Sequence, residues 1–201
     1  MLSASYHTAS DNTDVRMDGN HRKYIIFLTG FMGSGKSTIG PILANTIGYD
    51  FVDLDMFIEQ KEKRKIGDIF KQEGERAFRK MERAFLTEVS GTPRSVISLG
   101  GGTITDQESL DLVKESGVLV YLKAESEFIY KRLRTKSDRP MLRTADGELM
   151  DAEQLQLRID ELLTKRKGYY EQAHIIIHTD DKKIGNTIDE LVKMLRHHIE
   201  E

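Results

Sequence analysis

The sequence lacks cysteine, which excludes disulfide bonds, thiol nucleophiles and cysteine-ligated metals. It also lacks any apolar stretch near the roughly 20 residues that a membrane-spanning helix needs. The sequence has no excess of basic residues, since its formal net charge is −3. The net charge therefore gives no reason to propose a nucleic-acid partner. These absences are compatible with the reducing cytoplasm, and we expect a cytoplasmic protein with no membrane or nucleic-acid partner.

The composition is that of one globular domain of ordinary size. The chain has 201 residues, of which 38% are hydrophobic and 31% are charged. Residues 1–22 differ because they are polar and have no periodic apolar face, so we expect a disordered N-terminal extension before a single domain at 23–201. A signal peptide would need an apolar stretch, and a transit peptide would avoid acids such as Asp11, Asp14 and Asp18.

Residues 30–37 read Gly-Phe-Met-Gly-Ser-Gly-Lys-Ser and directly follow the apolar run Tyr24–Thr29. This is the phosphate-binding pattern G-x-x-x-x-G-K-[ST], in which glycines let the backbone fold around a phosphate and N–H groups point inward. The following helix adds its positive N-terminal end. Lys36 can reach the β- and γ-phosphates, and Ser37 can place a hydroxyl on Mg²⁺. The pattern predicts that the chain binds a nucleoside triphosphate.

Short β-branched runs alternate with longer helical patterns along the chain. The strand candidates are Tyr24–Thr29, Phe51–Asp55, Ser95–Leu99, Val118–Leu122 and His174–His178. The helical stretches are Lys36–Ile47, Asp68–Val89, Asp106–Ser116, Ser126–Thr135, Asp151–Gln172 and Ile184–Ile199. This alternation predicts a three-layer α/β/α fold around a five-stranded parallel sheet, with ligands at the carboxyl ends of the strands.

Two stretches are not simple crossovers. Met56–Glu88 is too long for one crossover helix, and we expect a helical lobe at about residues 56–88. Lys131–Arg143 holds six basic residues and one acid, and Arg139-Pro140 should break a helix. In a phosphate-binding fold this composition favours a mobile lid, which we place at about residues 131–148.

Two carboxylates end the second predicted strand, in the run Val52-Asp-Leu-Asp55. Residues two apart in a strand share a face, so Asp53 and Asp55 are both expected to point toward the phosphate loop. Asp53 could hold Mg²⁺ through water, and Asp55 could accept a hydrogen bond from a substrate hydroxyl.

Two further motifs follow. Arg79 and Glu82 are three residues apart on a predicted helix and can form an ion pair. The run Ser98-Leu-Gly-Gly-Gly102 follows the third predicted strand, and three consecutive glycines cost backbone entropy. A ligand that approaches the backbone closely would explain them.

The order of these motifs resembles the shikimate kinase family. The matching patterns are G-x-x-G-x-G-K-S, D-x-D, G-E-x-x-F-R-x-x-E, S-L-G-G-G, R-P and a late R-x-x-x-Y, and they extend from about Tyr24 to the C-terminus. The resemblance implies ATP-dependent phosphorylation of the 3-hydroxyl of shikimate, in the pathway to chorismate and the aromatic amino acids. Two positions depart from the family pattern, Gly168 in place of proline and Met141 in place of leucine, and neither removes a charged ligand.

The resemblance also implies that the lobe at about residues 56–88 binds the substrate, and it implies a set of site residues. Shikimate would be held by Asp55, Arg79, Gly101, Gly102 and Arg166. The ATP phosphates would lie on Gly33, Ser34, Gly35, Lys36, Ser37 and Thr38. Mg²⁺ would be placed by Ser37 and, through water, by Asp53. Arg139 would be the lid arginine, Arg132 would lie on the adenine side of the lid, and Lys182 or Lys183 would lie near the adenine; of these two we favour Lys183.

The chemistry is consistent with these roles. Arg79 and Arg166 can grip a carboxylate through paired, charge-assisted hydrogen bonds. Lys36, Arg139 and Mg²⁺ are then placed to stabilise the charge of phosphoryl transfer. We expect Asp55 to orient the hydroxyl and to take up its proton late. Lys36, Asp55 and Arg139 are therefore the candidate catalytic residues.

Three alternatives stay open. A related small-molecule kinase, acting on gluconate or on a nucleotide, would share the loop and lid but should lack the combination of Phe78-Arg79 with the triple glycine. A non-catalytic nucleotide-binding module should have lost acceptor residues, yet Asp55, Arg79 and Arg166 are all present. A nucleic-acid-linked ATPase would need a broad basic surface. Nothing points to an obligate partner, and we expect a monomer.

Overall fold

The computed structural model describes residues 25–134, 150–180 and 182–198. Within these ranges the chain forms five strands and seven helices. The strands are β1 (Ile25–Thr29), β2 (Asp50–Asp53), β3 (Ser95–Ser98), β4 (Val118–Lys123) and β5 (Ile175–His178). The helices are α1 (Lys36–Ile47), α2 (Leu54–Glu62), α3 (Ile66–Val89), α4 (Gln107–Ser116), α5 (Ser126–Leu133), α6 (Ala152–Tyr170) and α7 (Ile184–Leu195). No helix in the described ranges has the length and apolarity that crossing a membrane requires.

The five strands form one parallel sheet in the order β2-β3-β1-β4-β5. The central strand β1 pairs Phe27 with Ile97 of β3 and with Leu119 of β4. The chain therefore moves to one side of β1 for β3 and to the other side for β4, and ligands bind at the carboxyl end of such a switch point. The predicted five-stranded parallel sheet in a three-layer fold is confirmed.

Two hydrophobic cores cover the two faces of the sheet. Phe27 packs into the core that α2, α3 and α4 share, whereas its neighbours Ile26 and Leu28 pack into the core with α1 and α7. This alternation follows from the two-residue period of a strand. A third cluster joins Phe31 of the phosphate loop to α5 and α6. Both cores and the third cluster thus converge on the end of β1.

The second strand is shorter than the sequence predicts. It ends at Asp53, whose carboxylate accepts a hydrogen bond from the Met56 backbone N–H at 3.1 Å and caps α2. An aspartate at this position satisfies an N–H group that the first helical turn leaves unpaired, so the helix begins at Leu54. The prediction of a strand through Asp55 was wrong, because Asp55 lies in the first turn of α2.

Helices α2 and α3 pack against each other over the region where we predicted a substrate-binding lobe. The backbone of α3 breaks at Gly74, where φ is 81° and ψ is 170°. Three predictions lie outside the described residues: the N-terminal extension at 1–22, most of the lid at 131–148, and Arg139.

Candidate active site

A cavity of about 580 Å³ opens at the carboxyl edge of the sheet, a volume typical of a ligand cleft. Most of the predicted site residues lie on its wall. They are Gly33, Ser34, Gly35, Lys36, Ser37, Thr38, Asp53, Asp55, Arg79, Gly101, Gly102, Arg132 and Arg166. The structure therefore brings the nucleotide candidates and the acceptor candidates to one space.

The phosphate loop lies between β1 and α1 in a conformation that needs glycine. Gly33 and Gly35 have φ of 81° and 108°, values that side chains strongly disfavour. Gly35 caps α1 without a side-chain hydrogen bond. The Nζ of Lys36 reaches back across the loop to the carbonyls of Gly30 (2.6 Å) and Phe31 (3.2 Å). A helix N-terminus with a lysine beside it is a site for phosphate.

Two side chains from later elements hold this loop in place. Arg132 of α5 donates to the carbonyl of Gly33 at 2.9 Å and to that of Thr179 at 2.5 Å. The buried hydroxyl of Thr179, at the end of β5, donates to the carbonyl of Ser34 at 2.9 Å. The sequence reasoning missed Thr179, and its position at the carboxyl end of a predicted strand was the signal that could have found it.

The three consecutive glycines make room for three polar side chains of the site. A methyl group on Gly100 would lie 2.8 Å from Asp55 Oδ1, and one on Gly102 would lie 2.7 Å from Arg79 Nη2. A methyl group on Gly101 would lie 3.2 Å from Arg166 Nη1. The sequence interpretation invoked a close ligand, whereas the structure places the protein's own side chains against this backbone. Asp55, Arg79 and Arg166 consequently converge on one short segment.

Arg79 is held by a buried carboxylate. Its Nη1 lies 2.7 Å from Glu82 Oε2, and the other oxygen of Glu82 accepts a hydrogen bond from the Thr103 hydroxyl at 2.7 Å. Glu82 is only 3% exposed, so this is not an ordinary surface ion pair. Burial opposes the charged form of Arg79, but Glu82 and, more weakly, Glu75 raise the pKa of its guanidinium above the usual value. The guanidinium stays charged at the cavity wall.

Arg166 reaches the cavity from the last turns of α6. Its guanidinium lies over the ring of Phe31, 5.5 Å from the ring centre, and this contact favours a cation. Among the residues that the structure describes, no carboxylate pairs with Arg166. A partly buried guanidinium of this kind is suited to an anionic ligand.

The structure distinguishes the two lysines that we considered for the adenine. Lys182 lies on the wall and donates to Glu190 at 2.6 Å, whereas Lys183, which we favoured, is the residue before α7 and is not among the wall residues. Several wall residues that sequence reasoning did not select are apolar, and they include Met32, Ile39, Ile66, Phe70 and Ile184. Apolar residues in helices and loops carry no motif that separates a cavity wall from a core.

Comparisons with known proteins agree on one family. A family model described as shikimate kinase matches residues 32–196. The shikimate kinase of Chlorobaculum parvum is 45% identical over 175 residues, which cover 87% of this chain and 94% of that protein.

Two solved structures share the fold. The shikimate kinase of Bacteroides thetaiotaomicron is 33% identical with a TM-score of 0.80, over 86% of this chain and 98% of that chain. The shikimate kinase of Acinetobacter baumannii, solved in complex with shikimate, is 30% identical with a TM-score of 0.78, over 88% of this chain and 95% of that chain.

Proposed function

Because the chain belongs to the shikimate kinase family, we propose that it transfers the γ-phosphoryl group of ATP to the 3-hydroxyl of shikimate. The products are shikimate 3-phosphate and ADP, on the route to chorismate and the aromatic amino acids. One observation carries this proposal: the phosphate loop and the side chains of Asp55, Arg79 and Arg166 border the same cavity. Phosphoryl transfer needs its two reactants held in line at close range, and a shared cavity allows two ligands to lie that close to each other.

The acceptor is a small acid with one carboxylate and three hydroxyls. We assign its carboxylate to Arg79 and Arg166, because guanidinium groups bind carboxylates through paired, charge-assisted hydrogen bonds. The glycines at 100–102 leave space for both arginines and for Asp55. With the carboxylate fixed at one end, a hydroxyl at the other end can face the γ-phosphate.

Asp55 is assigned to that hydroxyl. A loose transition state needs little nucleophile activation, so its main role is to orient the hydroxyl, with proton uptake late in the reaction. Lys36 is assigned to the β- and γ-phosphates, where its charge stabilises the phosphoryl oxygens. Arg139 is proposed as the lid arginine that adds to this charge.

The residues present fit a magnesium ion. Ser37 and Asp53 offer hard oxygen ligands on the cavity wall, and Mg²⁺ prefers such ligands together with several waters. One oxygen of Asp53 bonds Met56, and within the described residues its second oxygen has no hydrogen bond. Ser37, and Asp53 through water, would hold Mg²⁺, which neutralises phosphate charge when bound.

The subregions take matching roles in this proposal. Residues 56–88 form the acceptor lobe, because they carry Arg79 and the apolar wall around it. Residues 131–148 form the lid, which excludes water as a competing acceptor. Arg132, at the base of the lid, lies on the adenine side. The chain is proposed to act as a monomer.

The test is a coupled assay of ADP release with shikimate, with gluconate and with no acceptor, each in the presence of Mg²⁺. We expect release that depends on shikimate and stops when EDTA removes the metal. Release that ignores shikimate would refute the assignment. Release that gluconate supports equally would favour a gluconate-type kinase. Nucleotide binding in a thermal-shift measurement without turnover would favour a non-catalytic module.

A further inference from the structure

Tyr170 is a large ionisable side chain that lies beside the site and has no role in the proposed reaction. It is fully buried, and a buried hydroxyl needs a hydrogen-bond partner. Its hydroxyl donates to the carbonyl of Gly101 at 2.6 Å, and its ring packs on Tyr121 with 4.9 Å between ring centres. The oxygen of Tyr170 is therefore fixed against the glycine segment.

The same oxygen lies beside the guanidinium of Arg166. The two residues are four apart on α6 and so share a face of the helix. A methyl group on Gly101 would lie 3.2 Å from Arg166 Nη1 and 3.7 Å from the Tyr170 oxygen, so the two groups meet over that glycine. Burial raises the pKa of Tyr170, and the charge and hydrogen bonding of Arg166 oppose that rise. Since the phenol proton goes to Gly101, the lone pairs of the oxygen are left for the guanidinium.

A comparison with Arg79 indicates why the partner of Arg166 is a phenol. Arg79 is held by the carboxylate of Glu82, which neutralises part of its charge. Arg166 has no such carboxylate among the described residues, and the Phe31 ring and the Tyr170 oxygen are the groups that lie beside its guanidinium. A neutral partner orients a guanidinium and leaves its charge for a ligand, whereas a second carboxylate would compete with an anionic acceptor.

We propose that Tyr170 is a positioning residue that orients Arg166 toward the carboxylate of the acceptor. The inference rests on the proposed function. Tyr170 does not touch the acceptor itself. It acts by limiting the rotamers of Arg166 on the side of Gly101, while the ring of Phe31 limits them on the face that it covers.

The first test is Tyr170→Phe, which removes the hydroxyl and keeps the ring. We expect the KM for shikimate to rise about tenfold, as for the loss of one charge-assisted hydrogen bond. The KM for ATP should change less than about twofold, since the phosphate loop is untouched. The matched control is Tyr169→Phe, the same deletion one residue earlier. The Tyr169 hydroxyl makes no hydrogen bond within the described residues, whereas that of Tyr170 bonds Gly101, so the control should leave both values unchanged.

The second readout separates positioning from general loosening. Shikimate methyl ester keeps the hydroxyls and lacks the negative charge, so its affinity should be the same for the wild-type chain and for Tyr170→Phe. In an Arg166→Ala background, adding Tyr170→Phe should cause no further loss of shikimate affinity. An equal loss for the ester, or an undiminished loss in that background, overturns the inference.

The Phe variant leaves the carbonyl of Gly101 without its donor, which can weaken folding. Replacing Tyr170 with 4-aminophenylalanine, by nonsense suppression, keeps an N–H donor for Gly101 and provides a poorer acceptor for Arg166. We expect a wild-type melting temperature with the tenfold rise in KM, and a wild-type KM overturns the inference.

The two hypotheses fail in different ways. If the wild-type chain shows no shikimate-dependent ADP release, the proposed function fails. If the wild-type chain shows that release and both variants have the same KM for shikimate as the wild type, this inference alone fails.

Discussion

Arg79 and Thr103 bind the two oxygens of the same buried carboxylate, each at 2.7 Å, with Glu82 between them. Thr103 directly follows the glycine segment, so Glu82 ties α3 to the loop after β3. Glu82 therefore does more than balance the charge of Arg79, because it also fixes the position of the guanidinium next to Gly102.

Glu82→Gln should raise the KM for shikimate about tenfold, because the amide keeps the shape but loses the charge that holds Arg79. We expect the free energy of unfolding to fall by about 1–3 kcal/mol. Steady-state kinetics and urea unfolding measure the two effects. A wild-type KM would mean that Arg79 does not depend on Glu82 for its position.

Arg79→Lys should raise the KM for shikimate by about 10–100-fold, because lysine lacks the forked geometry that pairs with a carboxylate. The KM for ATP should stay near the wild-type value. Arg83→Lys is the matched control, since Arg83 lies one turn along α3 and pairs with Asp106 away from the cavity. An equal loss for both substrates in the Arg79 variant would contradict the assignment.

Asp55→Asn should lower kcat by about a hundredfold or more, the usual effect of removing a group that handles the reacting proton. The melting temperature should stay close to that of the wild type, because Asp55 lies on the cavity wall and Asn keeps its shape. Single-turnover kinetics measures the chemical step directly. Near-normal turnover would show that Asp55 neither orients the hydroxyl nor accepts its proton.

Thr179→Val should raise the KM for ATP and leave the KM for shikimate unchanged, because valine removes the hydrogen bond to the Ser34 carbonyl and keeps the volume. The expected loss of unfolding free energy is about 1–2 kcal/mol. Thr179→Ser retains the hydroxyl and serves as the control. A shikimate-specific defect in the valine variant would show that Thr179 does not act on the phosphate loop.

Gly102→Ala should fold and bind shikimate about tenfold more weakly, a change of about 1.4 kcal/mol. The new methyl group would lie 2.7 Å from Arg79 Nη2, and the flexible arginine would move away from it. Gly185→Ala is the control, because nothing lies within 4 Å of a methyl group there. Isothermal titration with shikimate measures both. Unchanged affinity in Gly102→Ala would mean that the position of the guanidinium does not matter for binding.

The features of the fold that depend on local sequence pattern could be predicted. Alternating β-branched runs and helical periods predict a parallel sheet, and the phosphate-loop motif identifies its first turn. The strand order could not be predicted, because it depends on which side of β1 each crossover packs. The end of β2 was missed because the carboxylate of Asp53 caps a helix, and a D-x-D run reads equally well as strand.

The site shows the same division. Residues with a motif, such as Arg79 and the glycines, could be selected from sequence. Thr179 and Tyr170 were not selected, although Thr179 follows a predicted strand and Tyr170 ends the R-x-x-x-Y motif. Each bonds a backbone carbonyl far along the chain, and a carbonyl has no sequence signature. Glu82 was seen as a partner of Arg79, but its burial depends on how α3 packs beside Thr103.

The tether from Thr179 to Ser34 joins residues 145 positions apart. The phosphate loop leaves the ribosome well before the strand that secures it. A nascent chain that has appeared only as far as α6 therefore holds its loop through Arg132 but not through Thr179, and the second tether waits for β5.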